Sequence, residues 1–199
     1  IREIAQVPQI SREMQSSRIW RLFLSSTGYD LAEYRSAVFE RLQAMPDIKV
    51  VRMEDFVARY ESPLDTCIKA VAGSEFFVGL IGHNYGSCPQ GEDLSFTQLE
   101  YEAARENQVP SLFHVAPNEL KLPAVVRESD GKYEKQKAFR ARILQQHTVG
   151  RSEHWKSPEL LASFVSEAVS QLMREVGVLR QGIERQSVRD HTGVPAADG

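Results

Sequence analysis

The chain has 199 residues, 42% hydrophobic and 26% charged, with a formal net charge of -3, the balance of a globular domain long enough to bury a substantial core. That charge lacks the basic footprint of a nucleic-acid binder, and no apolar run approaches the roughly 20 residues that span a bilayer. Two cysteines, Cys67 and Cys88, make no disulfide framework and no metal-ligand spacing, and point to a reducing, cytoplasmic setting.

Residues 1–17 carry no clear pattern and form an N-terminal extension; starting at Ile1, the chain reads as a piece of a longer protein. "IWRLFLS" (19–25) is a short apolar run with the character of a buried strand. "DLAEYRSAVFERLQAM" follows, with Leu31, Tyr34, Val38, Leu42 and Met45 at steps of three and four, an amphipathic helix. Asp30 with Glu33 three later predicts its N-cap, and Tyr29 a staple onto Tyr34. "IKVVRM" (48–53) is a second strand. "SPLDTCIKAVAG" opens a helix with Ser62 as cap and Pro63 at its first position, and Gly73 ends it. Cys67 lies on its apolar stripe and reads as a small buried residue.

"FFVGLIG" (76–82) is the most apolar strand and the expected centre of the sheet. After the polar loop "HNYGSCPQGEDL", Ser95 and Gln98 predict a capping box for a helix whose stripe is Phe96, Leu99 and Ala103. "SLFHV" (111–115) is a fourth strand, a charged helix spans "KYEKQKAFRARILQQ", and a weak fifth strand falls near 147–151. "SPELLASFVSEAVSQLMREV" is the last strong helix, with Ser157 as cap; 181–199 reads as linker or disordered tail, leaving 18–180 as the folded domain. Strands alternating with helices predict an α/β domain, an open parallel sheet of about five strands with helices on both faces.

In such sheets ligands bind at the carboxyl ends of the strands. That rim holds Ser25, Ser26, Thr27 and Asp30 after the first strand, Asp55 and Phe56 after the second, and Gly82, His83, Tyr85 and Ser95 after the third. Ser-Ser-Thr-Gly at a helix start offers hydroxyls and free N–H groups suited to phosphate or carboxylate, or it is simple turn chemistry. Glycines suit the turn after the third strand, which does not need the imidazole, amide and phenol of His83, Asn84 and Tyr85; the plain alternative is a solvent-facing histidine. Glu100 lies more than one turn inside a helix that starts on this rim, and is the leading candidate for chemistry. No metal set is visible.

"FLSSTGYDLAEYRSAVFERL", "VVRMEDFVARYESPLDTCIKAVAGSEFFVGLIGHNYGS" and "LSFTQLEYEAA" resemble, in order and spacing, the motifs of a family of domains of unknown function. Those domains sit N-terminal to NACHT or other STAND-type NTPases, or to TPR and WD repeats. The family is in turn similar to Toll/interleukin-receptor (TIR) domains with a flavodoxin-like sheet. Ser25, Ser26 and Asp30 match the first part of the TIR pattern, Ser74 with Phe76 to Ile81 the second, and Ser95, Glu100 and Ala104 the third. In NAD-cleaving TIR domains the matching Glu is the catalytic acid residue, so the resemblance implies Glu100, with NAD as substrate and no permanently bound cofactor. The sequence departs where a Trp-Cys usually precedes that Glu: Phe96 and Thr97 stand there. The expected function is a TIR-like effector or signalling domain of a larger protein, cleaving NAD at the nicotinamide–ribose bond. The rival expectations are a non-enzymatic assembly or adaptor module and a nucleotide-signal receptor. The implied partners are further copies of the domain and attached NTPase or repeat domains, without nucleic acid or membrane.

Overall fold

The computed structural model describes residues 19–27, 30–53, 62–121 and 128–192, the last helix beyond Val178 as backbone. The elements run β1 (Trp20–Ser26), α1 (Ala32–Gln43), β2 (Ile48–Val51), α2 (Pro63–Ala72), β3 (Phe76–Ile81), α3 (Phe96–Glu106), β4 (Ser111–Val115), α4 (Asp130–Gln146), a 3-10 turn (Ser152–Lys156) and α5 (Pro158–Thr192). All strand pairs are parallel, in the order β2-β1-β3-β4. This is the α/β, flavodoxin-like class of open sheet, in which the chain reverses direction across the sheet between β1 and β3.

Every residue of β3 is buried, as a central parallel strand requires when helices cover both faces. Strand alternation divides the side chains between two cores. Leu22, Leu24, Phe76, Val78 and Leu80 point to one face, packed with α1, α5 and the fully enclosed Trp155. Phe23, Phe77 and Ile81 point to the other, with Val71 of α2, Tyr101 and Ala104 of α3, and Phe139 and Ile143 of α4. Gly79 is needed on that second face, because a Cβ there would lie 2.8 Å from the Phe113 ring. Tyr34 tilts against Trp155 at 5.2 Å and donates its hydroxyl to the Trp155 carbonyl (2.9 Å), tying α1 to the segment before α5.

Four expectations change. The fifth strand is reduced to one parallel bridge, Phe113 to Val149, because the chain turns at once into the 3-10 segment. Helix α1 begins at Ala32 with Leu31 at the cap position and no side-chain cap; Asp30 is engaged elsewhere. Helix α3 is rotated from its apolar reading: Thr97, Glu100, Tyr101, Ala103 and Ala104 are buried, while Phe96 and Leu99 stay partly exposed. Helix α5 continues to Thr192 rather than ending near 180, with no proline between Pro158 and Thr192 to break it and only Gly177 and Gly182 weakening it. Ser62 and Ser95 cap α2 and α3 as expected, accepting from the backbone N–H of Asp65 and Gln98. The N-terminal extension, Tyr29, Asp55 and Phe56 lie outside the described residues. No helix among the described residues is long and apolar enough to cross a membrane.

Candidate active site

At the C-terminal end of β1, beside the β1/β3 reversal, lies a cavity of about 320 Å³, at the lower end of the range for small-molecule sites. Leu24, Ser26 and Thr27 line it from β1, Arg35 from α1 and Met53 from the end of β2. Gly86 and Ser87 come from the loop after β3, and Phe96, Thr97 and Glu100 from α3. Glu100 is only 4% exposed. A carboxylate so placed needs donors, since burying a charge without them is prohibitive. The Ser25 hydroxyl supplies one, at 2.5 Å from Oε2.

Burial dominates the titration of Glu100 and pushes it up to about 7, against the opposing pull of Ser25, Cys67 and the Arg35 guanidinium. Burial, reinforced by the Glu100 carboxylate, pushes the Cys67 thiol up to about 12, so it stays protonated. The site therefore contains a carboxyl group that changes charge near neutral pH, a cation at Arg35, and the buried Ser26 hydroxyl, which has no hydrogen-bond partner among the described residues. Among those residues no group of three or more His, Cys, Asp or Glu side chains is placed to hold a metal ion.

A second polar cluster braces the loops around this cavity. Asp30, 3% exposed, accepts hydrogen bonds from the Thr27 hydroxyl (2.6 Å) and from the backbone N–H groups of His83 (2.6 Å) and Asn84 (3.0 Å). Gly82 makes this clasp possible, for a Cβ there would stand 2.2 Å from Asp30 Oδ2. The Gly82 carbonyl accepts from Gln136 Nε2 (2.7 Å) and Arg140 Nη1 (2.8 Å), and Arg140 Nη2 also donates to the Ala116 carbonyl (2.6 Å). Glu128 accepts from the N–H groups of Tyr85 (2.6 Å) and Gly86 (2.9 Å). The Tyr85 hydroxyl donates to Gln98 Oε1 (2.8 Å), so the side chain expected to complete the capping box holds the loop instead. His83 contacts the Leu120 carbonyl through Nε2 (3.3 Å), and burial with the Arg140 charge holds its titration below the usual range.

The expected rim residues thus divide. Glu100, Ser26 and Thr27 line the cavity, and Ser25 joins them only through its hydrogen bond to Glu100. Asp30, Gly82 and His83 form the clasp beside it, while Tyr85 and Ser95 are buried supports of the loop and of α3. The cavity also uses Arg35, Thr97 and Phe96, which the sequence alone did not place there. Arg35 carries a usable signal: it is on the first turn of a helix that starts at the rim. Cys67 is legible as buried and is fully enclosed.

The family of domains described as "Domain of unknown function (DUF4062)" matches residues 21–170, roughly three quarters of the chain. The chain belongs to that family. No curated protein matches it. Among solved structures, the TIR domains of the activated Roq1 resistosome, which directly recognises the pathogen effector XopQ, align at 17% identity. The alignment covers 79% of this chain and 99% of that one, with a TM-score of 0.43.

Proposed function

We propose that the domain cleaves NAD at the nicotinamide–ribose bond, with Glu100 as the catalytic carboxylate, as the effector part of a larger signalling protein. The observation that carries the reading is a buried, ionisable carboxylate in a small-molecule-sized cavity at the sheet's switch point. The C1′–N bond breaks with its electron pair leaving on nicotinamide, which departs neutral and needs no proton. Positive charge develops on the ribose, and an ionised carboxylate beside it stabilises the oxocarbenium-like transition state. Water adds to C1′ and releases a proton, for which Glu100 is the nearby acceptor. Arg35 and the free Ser26 hydroxyl suit the phosphate and ribose oxygens, and Phe96 is the aromatic group on the cavity wall.

A second reading is favoured by one observation: the donor to Glu100 is internal, so the Ser25–Glu100 bond also serves as a tie between β1 and α3. In that case the domain is an assembly module, self-associating under attached NTPase or repeat domains. NAD loss and nicotinamide release, measured on the domain alone and artificially clustered, separate the two. Turnover by the clustered wild type that disappears in a folded Glu100→Gln variant supports cleavage. Clustering-dependent association with neither turnover nor NAD binding supports the assembly module.

A further inference from the structure

The loop after β3 gives the cavity one wall, at Gly86 and Ser87. Gly86 has a φ of +87°, a left-handed conformation that glycine adopts freely but does not hold by itself. Two groups at the start of α4 hold it. The Glu128 carboxylate is shared between successive amides: Oε2 accepts from the Tyr85 N–H (2.6 Å) and Oε1 from the Gly86 N–H (2.9 Å). Lys132 Nζ donates to the Gly86 carbonyl (2.6 Å) and lies 3.9 Å from Glu128 Oε1. On the same face of α4, three residues further on, Lys135 Nζ donates to the Asp93 carbonyl (2.7 Å), near the far end of the loop. We propose that Glu128 and Lys132 are positioning residues that set this wall of the cavity, by gripping both polar groups of Gly86 from the start of α4.

The grip decides what the glycine presents to its surroundings. A Cβ built on Gly86 would point to Thr27 Cγ2, 3.7 Å away, and Thr27 is itself a lining residue. With its N–H and C=O turned to Glu128 and Lys132, Gly86 offers Thr27 only its bare Cα. The neighbouring ties act on other groups. Tyr85 is anchored through its hydroxyl to Gln98 (2.8 Å), and Ser87 through its carbonyl to the Phe96 N–H (3.0 Å), both on α3. Those bonds fix the flanks, and the permissive glycine between them takes its orientation from α4. A wall displaced by about 1 Å can cost on the order of 10²-fold in rate when it seats a reacting molecule.

The part played in cleavage rests on this cavity being the NAD site, but NMR of the full chain reads the wall without turnover. Glu128→Gln is the near-isosteric probe, since its amide keeps one acceptor oxygen and turns a donor toward the other N–H. It is expected to speed hydrogen exchange at the Tyr85 or Gly86 amide by about 10-fold or more, and to weaken the nuclear Overhauser effect between a Gly86 α-proton and the Thr27 methyl group. Lys132→Met, at a part-exposed site away from both cores, keeps the stem without the donor and is expected to weaken the same signal. Lys132→Arg restores a donor and should bring it back. If the clustered wild type releases nicotinamide, kcat/KM should fall by about 10-fold in Glu128→Gln and Lys132→Met and recover in Lys132→Arg. A Gly86–Thr27 signal unchanged in both variants would overturn the proposal, as would an unchanged kcat/KM once that signal is lost. If the signal responds as expected in a domain that neither binds nor cleaves NAD, Glu128 and Lys132 keep their role at the wall and the cleavage reading fails alone.

Discussion

Two buried carboxylates, Asp30 and Glu100, sit on the same rim and are treated differently by the chain. Asp30 receives a hydroxyl and two backbone N–H groups, all from residues fixed by the ends of β1 and β3. Glu100 receives one hydroxyl and faces a cavity. Each is nearly solvent-free, so exposure does not distinguish them; the supply of donors does. A carboxylate supplied with backbone donors is a structural tie, and a carboxylate left to fewer and weaker ones retains a titration that function can use. On the proposed reading, Asp30, Gly82 and His83 serve the architecture, and Glu100 with Ser25, Ser26 and Arg35 serves the chemistry.

The contrast is sharpest in paired variants. Glu100→Gln is nearly isosteric and keeps acceptor capacity for Ser25, so it should fold normally while nicotinamide release falls by about 10²-fold or more. Asp30→Ala should do the reverse in kind. It strands two buried N–H groups and the Thr27 hydroxyl, a loss of about 2–4 kcal/mol in denaturant unfolding. Gly82→Ala should cost about 1–3 kcal/mol, because the new methyl must displace Asp30 from its place. Were Asp30→Ala to leave stability intact, or Glu100→Gln to unfold the domain, the two carboxylates would have exchanged roles.

A smaller effect is the pH dependence of stability, where two buried groups oppose one another. Glu100, with its folded titration raised to about 7, holds a proton that the unfolded chain has already released above about 4.5. Its contribution is therefore present at low pH and lost as pH rises toward 7. His114, buried on β4 with its titration pushed down to about 4, is neutral in the fold while the unfolded imidazole is still charged. Its contribution is present above about 6.5 and lost as pH falls toward 4. In the wild type these slopes offset one another between about pH 4.5 and 6.5. Glu100→Gln should expose the His114 slope, giving unfolding free energies that rise with pH by on the order of 2 kcal/mol across that interval. Replacing His114 by Gln should expose the opposite, falling slope.

Much of the fold was legible because hydrophobic periodicity and caps act locally. The apolar run at 76–82 is the central strand, and Ser62 and Ser95 cap their helices from their own sequence neighbourhoods. Asp30 looked like a cap by the same local rule, yet its partners are His83 and Asn84, more than fifty positions away. Helix α3 shows the limit of hydrophobic reading: its inward face carries Thr97 and Glu100 where Phe96 and Leu99 looked apolar enough to turn in. That inversion is itself informative, since a fold that buries a Glu in preference to a Leu has a use for the carboxylate. Glu100 was found through its place on the rim, while Arg35 needed tertiary packing to join it.

The most direct measurement is nicotinamide release by the clustered domain as a function of pH from about 5.5 to 8.5, beside Glu100→Gln. The ionised carboxylate is the form that stabilises an oxocarbenium ion, and the leaving nicotinamide needs no acid. The rate should therefore rise with pH and level off above the point near 7 where Glu100 loses its proton, with the variant inactive throughout. A rate that falls over that interval would contradict the role given to the carboxylate, and one independent of Glu100 would contradict the site.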